Sequence, residues 1–398
     1  MNHFTRDLLE ALPSPEKTKE IVREHLEEAM NAMLKNELDA VLGYQKYQRG
    51  QREGNSRNGS YERTYDTEYG EVNLNVPRDR KNEFEPQLFS PYQRRSDWLE
   101  SMIIELYQKG STTSEIAEII EKLYGHYYSK ETISNITEAT QVLVDQFKSR
   151  PLKKRYSILY IDATFTKIRR RNVASEAVYL VLGIDEEGKR EILSYLILPE
   201  ESSLCWNDLF TDIKKRGVEQ VLLGVMDGLI GLDDAFLSHF PKADVQRCTI
   251  HFMRNIAHRV RVTDRAAILR DLSDWFKSTT HEEIDEKRQN IILRWVKDYP
   301  KLMKDYMVRP HLFTFIKYPS SIWGSIKTTN WIENTNKQIK RQMNKKEQFP
   351  NEQSAERFLV NQIVIHNDKL NSRIMKGFDA AYSQLQHLFD ERYPTPSE

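Results

Sequence analysis

The chain has 398 residues, 39% hydrophobic and 30% charged, which excludes wholesale disorder and calls for several cores rather than one. Lys and Arg total 59 and so do Asp and Glu, so the zero net charge carries no global sign of a polyanionic partner, and any such sign must lie in how charge is distributed. Two cysteines, Cys205 and Cys248, are too few for a disulfide framework, the opening MNHFTRDLLE shows no apolar leader, and the longest strongly apolar run, residues 177–184, is far below the roughly 20 residues that span a bilayer. A cytoplasmic protein in a reducing compartment, with no membrane segment, is expected.

Apolar residues recur at mostly three- and four-residue intervals from Ile21 through Leu26, Met30, Leu34 and Leu38 to Leu42, which predicts an amphipathic helix over residues 15–42. Its narrow apolar face lacks an evident local partner, so a second copy of the chain is a candidate to cover it, with residues 96–150 of the same chain as the alternative. Residues 50–59, with Gly54, Asn55, Asn58 and Gly59, predict a loop, and residues 65–77 alternate around Gly70 as a small β-hairpin with Arg78, Arg80 and Lys81 at its exit. Within residues 111–140, Thr112 and Glu115 form a capping box, Gly125 breaks the first helix and Ser129 caps a second whose Ile133 and Ile136 face inward. Such a pair suits a helix-turn-helix that docks in a DNA major groove, and an ordinary helical hairpin fits it equally. On the first reading Lys130 and Asn135 contact DNA, with Arg57, Arg78 and Arg80 adding contacts from the loop and hairpin.

From Tyr156 the texture changes. Residues 156–165, 177–185 and 191–198 predict three strands, residues 203–215 a helix ending at Gly217, and residues 218–225 a fourth strand running into Met226-Asp227-Gly228. A short strand near 243–247 leads to a helix from Thr249, residues 264–307 are all helical, and a long helix begins near Thr328, with helical sequence continuing to Tyr393. The expected organisation is residues 1–95 as helix, loop and hairpin for dimerisation and DNA contacts, 96–150 as a helix-turn-helix-like DNA-binding domain, 151–263 as the first part of an α/β catalytic domain, 264–320 as an all-α insertion, and 321–398 as the remainder.

Asp162 ends the first of these strands and Asp227 the fourth, so a parallel pairing would set two carboxylates side by side at one sheet edge. Either alone also fits a turn residue closing a strand; as a pair they repel, and a divalent cation with a preference for hard oxygen ligands would compensate them. Glu333 lies on the last long helix, with Lys337, Lys340 and Arg341 at i+4, i+7 and i+8, which is either an i,i+4 ion pair on a solvated face or an acid beside cations that meet phosphate. Lys167, Arg169, Arg170 and Arg171 add positive charge just beyond Asp162. Three acids holding two ions, Mg²⁺ or its substitute Mn²⁺, suit in-line phosphodiester chemistry.

In this order, Tyr160-Ile-Asp-Ala-Thr164, Val225-Met-Asp-Gly-Leu229, Gln246-Arg-Cys-Thr-Ile-His251 and Thr329-Asn-Trp-Ile-Glu-Asn334 resemble the bacterial Mutator-type insertion-sequence transposases. Asn55-Ser-Arg-Asn-Gly59, Val76-Pro-Arg-Asp-Arg80 and Leu106-Tyr-Gln-Lys-Gly110 resemble them as well, so the likeness covers residues 20–370. The resemblance implies a ribonuclease H-like fold interrupted by helices before the last acid, with Asp162, Asp227 and Glu333 as the catalytic DDE triad and metal ligands, and Cys248 and His251 as active-site support rather than half of a zinc site. It also implies double-stranded DNA partners (terminal inverted repeats and target), a homodimer or larger assembly on DNA in the bacterial nucleoid, and a copy-out, paste-in route through a circle. Two other classes share some of these residues: a nuclease or junction resolvase without strand transfer, and a non-catalytic DNA-binding regulator that would leave the acids unexplained.

Overall fold

The computed structural model describes residues 14–44, 55–67, 69–89, 97–124, 128–198, 204–370 and 374–394. The expected glycines at 50 and 54, the break at Gly125 and most of the polar tail lie outside the described residues. The chain divides into two compact units, residues 1–139 and 140–398. No described helix is long and apolar enough to cross a membrane.

In the first unit, helix α1 (Pro15–Leu42) is capped by Ser14 and ends where Gly43 adopts a left-handed φ of 71°. Strands β1 (Arg57–Thr67) and β2 (Gly70–Asp79) form an antiparallel hairpin. The face of α1 thought to need a partner from elsewhere has one here, because Leu26, Met30 and Leu34 pack on Tyr65, Val72, Leu74 and Val76 of this hairpin. The alternation along β2 buries every second residue, and that is the surface the helix covers.

The hairpin is longer than the sequence pattern suggests, and residues 57–59 are strand rather than loop. Gly59, at φ 75°, sits in a register irregularity between Arg57 and Ser60 that lets β1 continue. Two polar motifs also join there: buried Asp79 accepts from Asn55 Nδ2 at 2.5 Å and from the Glu83 and Phe84 amides, while Arg80 N donates to Ser56 O. Three helices follow in this unit, α2 (Asp97–Gln108), α3 (Thr113–Tyr124) and α4 (Lys130–Glu138). The Thr112–Glu115 capping box closes in both directions and Ser129 caps α4.

The second unit starts with α5 (Gln141–Ser149) and is organised by strands β3 (Arg155–Arg169), β4 (Val173–Asp185) and β5 (Arg190–Leu198), helix α6 (Leu204–Lys215), strand β6 (Gln220–Met226), helix α7 (Leu232–His239) and strand β7 (Asp244–Arg247). The sheet order is β5-β4-β3-β6-β7, with β4 antiparallel to both β3 and β5, and β6 and β7 parallel to β3. One core cluster joins Leu159, Ile161, Tyr179 and Val181 of the sheet to Trp206, Phe210 and Phe236 of α6 and α7.

Helix α8 (Thr249–Ala257) leaves the sheet, and α9 (Val262–Trp275), α10 (His281–Trp295) and α11 (Pro300–Tyr306) gather around a separate aromatic-rich cluster that includes Phe252, Trp275 and Trp295. The chain returns through the short α12 (Trp323–Ile326) to α13 (Asn330–Met343), α14 (Glu352–Leu370) and α15 (Phe378–Arg392).

Gln246, fully buried on β7, stitches this return to the sheet. Its amide donates to Leu312 O at 2.9 Å and accepts from Phe315 N at 2.8 Å. Replacing it with Ala leaves a buried amide and a carbonyl unpartnered, at about 1–3 kcal/mol. Gln246→Ala should therefore lower the melting temperature by about 5 °C; a thermal melt unchanged from wild type would remove this role.

Candidate functional site

β3 and β6 pair in parallel with Ile161 opposite Met226, which sets Asp162 and Asp227 next in register; β6 ends at Met226, whereas Asp162 does not end its strand as expected but lies within β3, paired with Leu180 of β4. Asp162 is 8% exposed, and its Oδ2 accepts from Asn336 Nδ2 on α13 at 2.8 Å. Asp227 caps its own turn, with Oδ1 accepting from Leu229 N at 3.2 Å. The turn needs Gly228: its φ is 84°, and a Cβ there would meet Arg247 at 3.3 Å.

Cys248 stands at the N-cap of α8 and His251 in its first turn. The Cys248 sulfur accepts from Thr329 N at 3.4 Å and Thr329 Oγ1 at 3.3 Å. Thr329 is in turn the N-cap residue of α13, which carries Glu333 in its first turn. Thr249 draws the two helix starts together, because both its amide and its hydroxyl donate to Lys327 O. Glu333 Oε1 lies 3.5 Å from His251 Nε2, 3.5 Å from Arg254 Nη1 and 3.4 Å from Thr329 Oγ1.

Two overlapping donor sets result. One atom each from Asp162, Asp227 and His251 lie within 4.8 Å of one another, and the same holds for Cys248, His251 and Glu333. Burial, followed by the charge of Asp227, pushes the Asp162 carboxyl up to about 6. The hydrogen bond to Cys248, against a desolvation penalty and with help from the Cys248, Asp162 and Asp227 charges, pushes His251 up to about 9. The carboxylates of Asp162 and Asp227 fit a hard divalent cation, since an ion between two close carboxylates would offset the repulsion that helps raise the Asp162 value.

The basic residues singled out from the sequence fall into two groups. Lys167, Arg169 and Arg171 are exposed at the outer end of the β3–β4 hairpin, and Lys337, Lys340 and Arg341 are exposed on α13. Arg170 instead holds the buried Glu176 through Nε at 2.7 Å and reaches Glu352, so it compensates an internal charge. In the first unit Arg57 pairs with Asp39 and donates to Tyr44 O at 2.8 Å, which fixes the end of α1. Arg78, Arg80, Lys130 and Asn135 are exposed, Arg78 with its guanidinium 4.4 Å from the Tyr61 ring centre. The ion partner that Glu333 meets is Arg254, not the Lys337 that helical spacing suggests.

Sequence reasoning passed over Arg254, Asn336 and Thr329. Arg254 is three residues beyond His251 and Asn336 three beyond Glu333, so each shares a helix face with an identified residue, and that spacing was the available signal.

The family described as "Transposase, Mutator family" matches residues 2–371. The chain is 44% identical over 391 residues to the transposase for insertion sequence element IS905 of Lactococcus lactis, covering 98% of this chain and all of that one. It is 39% identical to the transposase for IS1201 of Lactobacillus helveticus, covering 90% and 98%, and 30% identical to the transposase for IS256 in transposon Tn4001 of Staphylococcus aureus, covering 83% and 85%.

Without divalent metal the cluster makes stability depend on pH. Asp162 and His251 both have folded values raised above their unfolded ones, from 3.8 to about 6 and from 6.5 to about 9. Each contributes stability that is complete below the unfolded value and is lost as pH rises through the folded one. In chelator, the melting temperature should fall across about pH 4–6 and again across about pH 6.5–9, and Asp162→Asn should abolish the lower phase and narrow the upper one, because the Asp162 charge helps raise His251. Melts of the variant that keep the lower phase would assign it to another group.

Proposed function

The chain belongs to the Mutator family of transposases, and from that premise we propose that its second unit is a ribonuclease H-like catalytic domain, with α9 to α11 inserted before the last acid, that cuts the ends of an insertion sequence and joins them to target DNA. The observation that carries this reading is the pair Asp162 and Asp227, side by side on parallel strands with His251 in reach of both. In the first step water attacks a phosphodiester at the element end and releases a 3′-hydroxyl. In the second, that hydroxyl attacks a target phosphodiester, forming one P–O bond as another breaks, so no covalent enzyme intermediate is needed. The family resemblance adds a copy-out, paste-in route through an excised circle.

Asp162, Asp227 and Glu333 would hold two Mg²⁺ ions, or Mn²⁺ in their place, and when bound these would neutralise charge on the attacking and leaving oxygens. The chain's own residues do the rest. Asn336 donates to one oxygen of Asp162 and fixes the carboxylate plane. Arg254, half exposed beside Glu333, offers a guanidinium at the edge of the cluster where a phosphate would enter. Lys167, Arg169, Arg171, Lys337, Lys340 and Arg341 neutralise backbone phosphates with little sequence preference. Selectivity for the element end falls to the first unit, where α3 and α4 act as a helix-turn-helix with Lys130 and Asn135 outward, helped by Arg78 and Arg80. Joining two ends requires both in one complex, so the working form is a homodimer or larger assembly on DNA, associated with the nucleoid.

Asp162→Ala, Asp227→Ala and Glu333→Ala should each reduce nicking and joining of an end-bearing plasmid to background while gel-shift affinity stays near wild type. Near wild-type nicking by any one of them in Mg²⁺ removes that residue from the triad, and nicks that are never followed by joined product would favour a nuclease or resolvase instead. Reversing Lys167 and Arg169 together to Glu should weaken binding on every DNA sequence alike and lower the slope of log affinity against log salt by about two; an unchanged slope would move the phosphate path off this hairpin.

A further inference from the structure

Cys248, His251 and Glu333 bring a sulfur, an imidazole nitrogen and a carboxylate oxygen within 4.8 Å of one another. Two-ion phosphodiester chemistry has no use for the sulfur, because magnesium takes oxygen ligands and avoids thiolate. We propose that these three residues form a binding site for a soft divalent cation of the zinc type, and that zinc bound there draws Glu333 away from Asp162 and Asp227 and so arrests strand cleavage. The second half of this proposal rests on the transposase reading; the first does not.

Five features of the site support it. The ligand types are those of a three-residue zinc site with a fourth position left for a water or a phosphate oxygen. Cys248 is the N-cap residue of α8 and His251 lies one turn on, so one rigid helix start presents both donors. The helix N-terminus favours negative charge on the sulfur, and the sulfur already accepts two hydrogen bonds from Thr329, the pattern of an anionic acceptor. Tetrahedral zinc would set its donors about 3.3–3.8 Å apart, so closing the set from within 4.8 Å needs only small side-chain rotations. His251 and Glu333 are 22% and 12% exposed, which gives an ion a way in from solvent.

Exclusion follows from sharing. His251 belongs to both donor sets, whereas Glu333 is grouped with Cys248 and His251 and not with the aspartates; on the proposed reading it is also the third acid for magnesium. Zinc on Glu333 would turn that carboxylate toward Cys248 and His251 and set a second divalent charge beside the aspartates, so the two loadings would compete. Zinc is therefore an inhibitor here and not a requirement, and the thiol of Cys248 decides whether it binds.

The test uses the full-length protein with Co²⁺ as the spectroscopic probe for zinc. Wild type should develop a thiolate-to-cobalt charge-transfer absorption in the near ultraviolet with the visible bands of four-coordinate cobalt. Cys248→Ser should lose the charge-transfer band and Cys205→Ser should keep it. Absence of the band in wild type, or its survival in Cys248→Ser, overturns the site. In parallel, nicking in Mg²⁺ is measured against buffered free Zn²⁺, each protein compared with its own zinc-free rate. Cys248→Ser should raise the half-inhibiting zinc concentration at least about tenfold. A wild-type protein that binds cobalt through sulfur yet nicks equally well with zinc bound overturns the inhibition. A wild-type protein that shows the cobalt band but never nicks DNA in Mg²⁺ leaves the site standing and refutes the transposase reading instead.

Discussion

Parallel pairing of β3 with β6 forces two carboxylates into one place, and much of the second unit exists around that constraint. Neither strand can drift to relieve the repulsion: β3 is hydrogen-bonded to β4 on its other side, β6 to β7, and Ile161 and Met226 just before the two acids are buried in the main core. Separating the aspartates would mean breaking the register of a five-stranded sheet. The cluster is compensated by neighbours instead. Asn336 donates to one acid, the raised proton affinity of Asp162 lets that carboxyl stay partly neutral near pH 6, and a protonated His251 sits beside both.

The elements that supply these neighbours come from far along the chain, and each is tied to the sheet by polar bonds at its point of entry. Gln246 and the Thr249–Lys327 bonds fasten the two ends of the long helical excursion. Asp244 at the start of β7 receives Lys317, Tyr318 and Arg392, which locks the C-terminal helix onto the same edge. Between those ties the helices α9 to α11 pack on a core of their own. That core still reaches the site, because Phe252 of α8 belongs to it and Lys327, just before α13, donates through Nζ to Phe276 O at 3.0 Å.

These ties explain what could be read from the sequence and what could not. The β-rich runs, the helix caps at Thr112 and Ser129 and the nearness of Asp162 to Asp227 were legible because each depends on local pattern or on one simple topological rule. The outer end of the β3–β4 hairpin was not: the sequence pattern ends the first strand at residue 165 and starts the second at 177, yet the pairing of Arg169 with Val173 and a bridge from Ile168 to Phe349 extend both strands, leaving only residues 170–172 as the turn. Arg57 and Arg170 look like surface cations until Asp39 and Glu176 are found beside them. Their partners are 18 and 6 residues away along the chain and on different elements, so no periodicity reveals them. Asn336 shares a helix face with Glu333, but its acceptor Asp162 is 174 residues distant, so the spacing marks the residue without revealing its partner.

His251 is the point at which these arguments meet. Helical geometry places it three residues after Cys248, so its ring reaches back to the sulfur on one side while the sheet edge offers Asp162 and Asp227 on the other. An imidazolium in that position does for the unliganded protein what a divalent cation would do for the liganded one, with one charge in place of two. In the folded protein without metal, the two aspartates thus have a counter-charge beside them. On the proposed reading, a divalent ion beside the aspartates would replace the His251 proton as counter-charge within this frame, and the register that holds Asp162 beside Asp227 would not have to change.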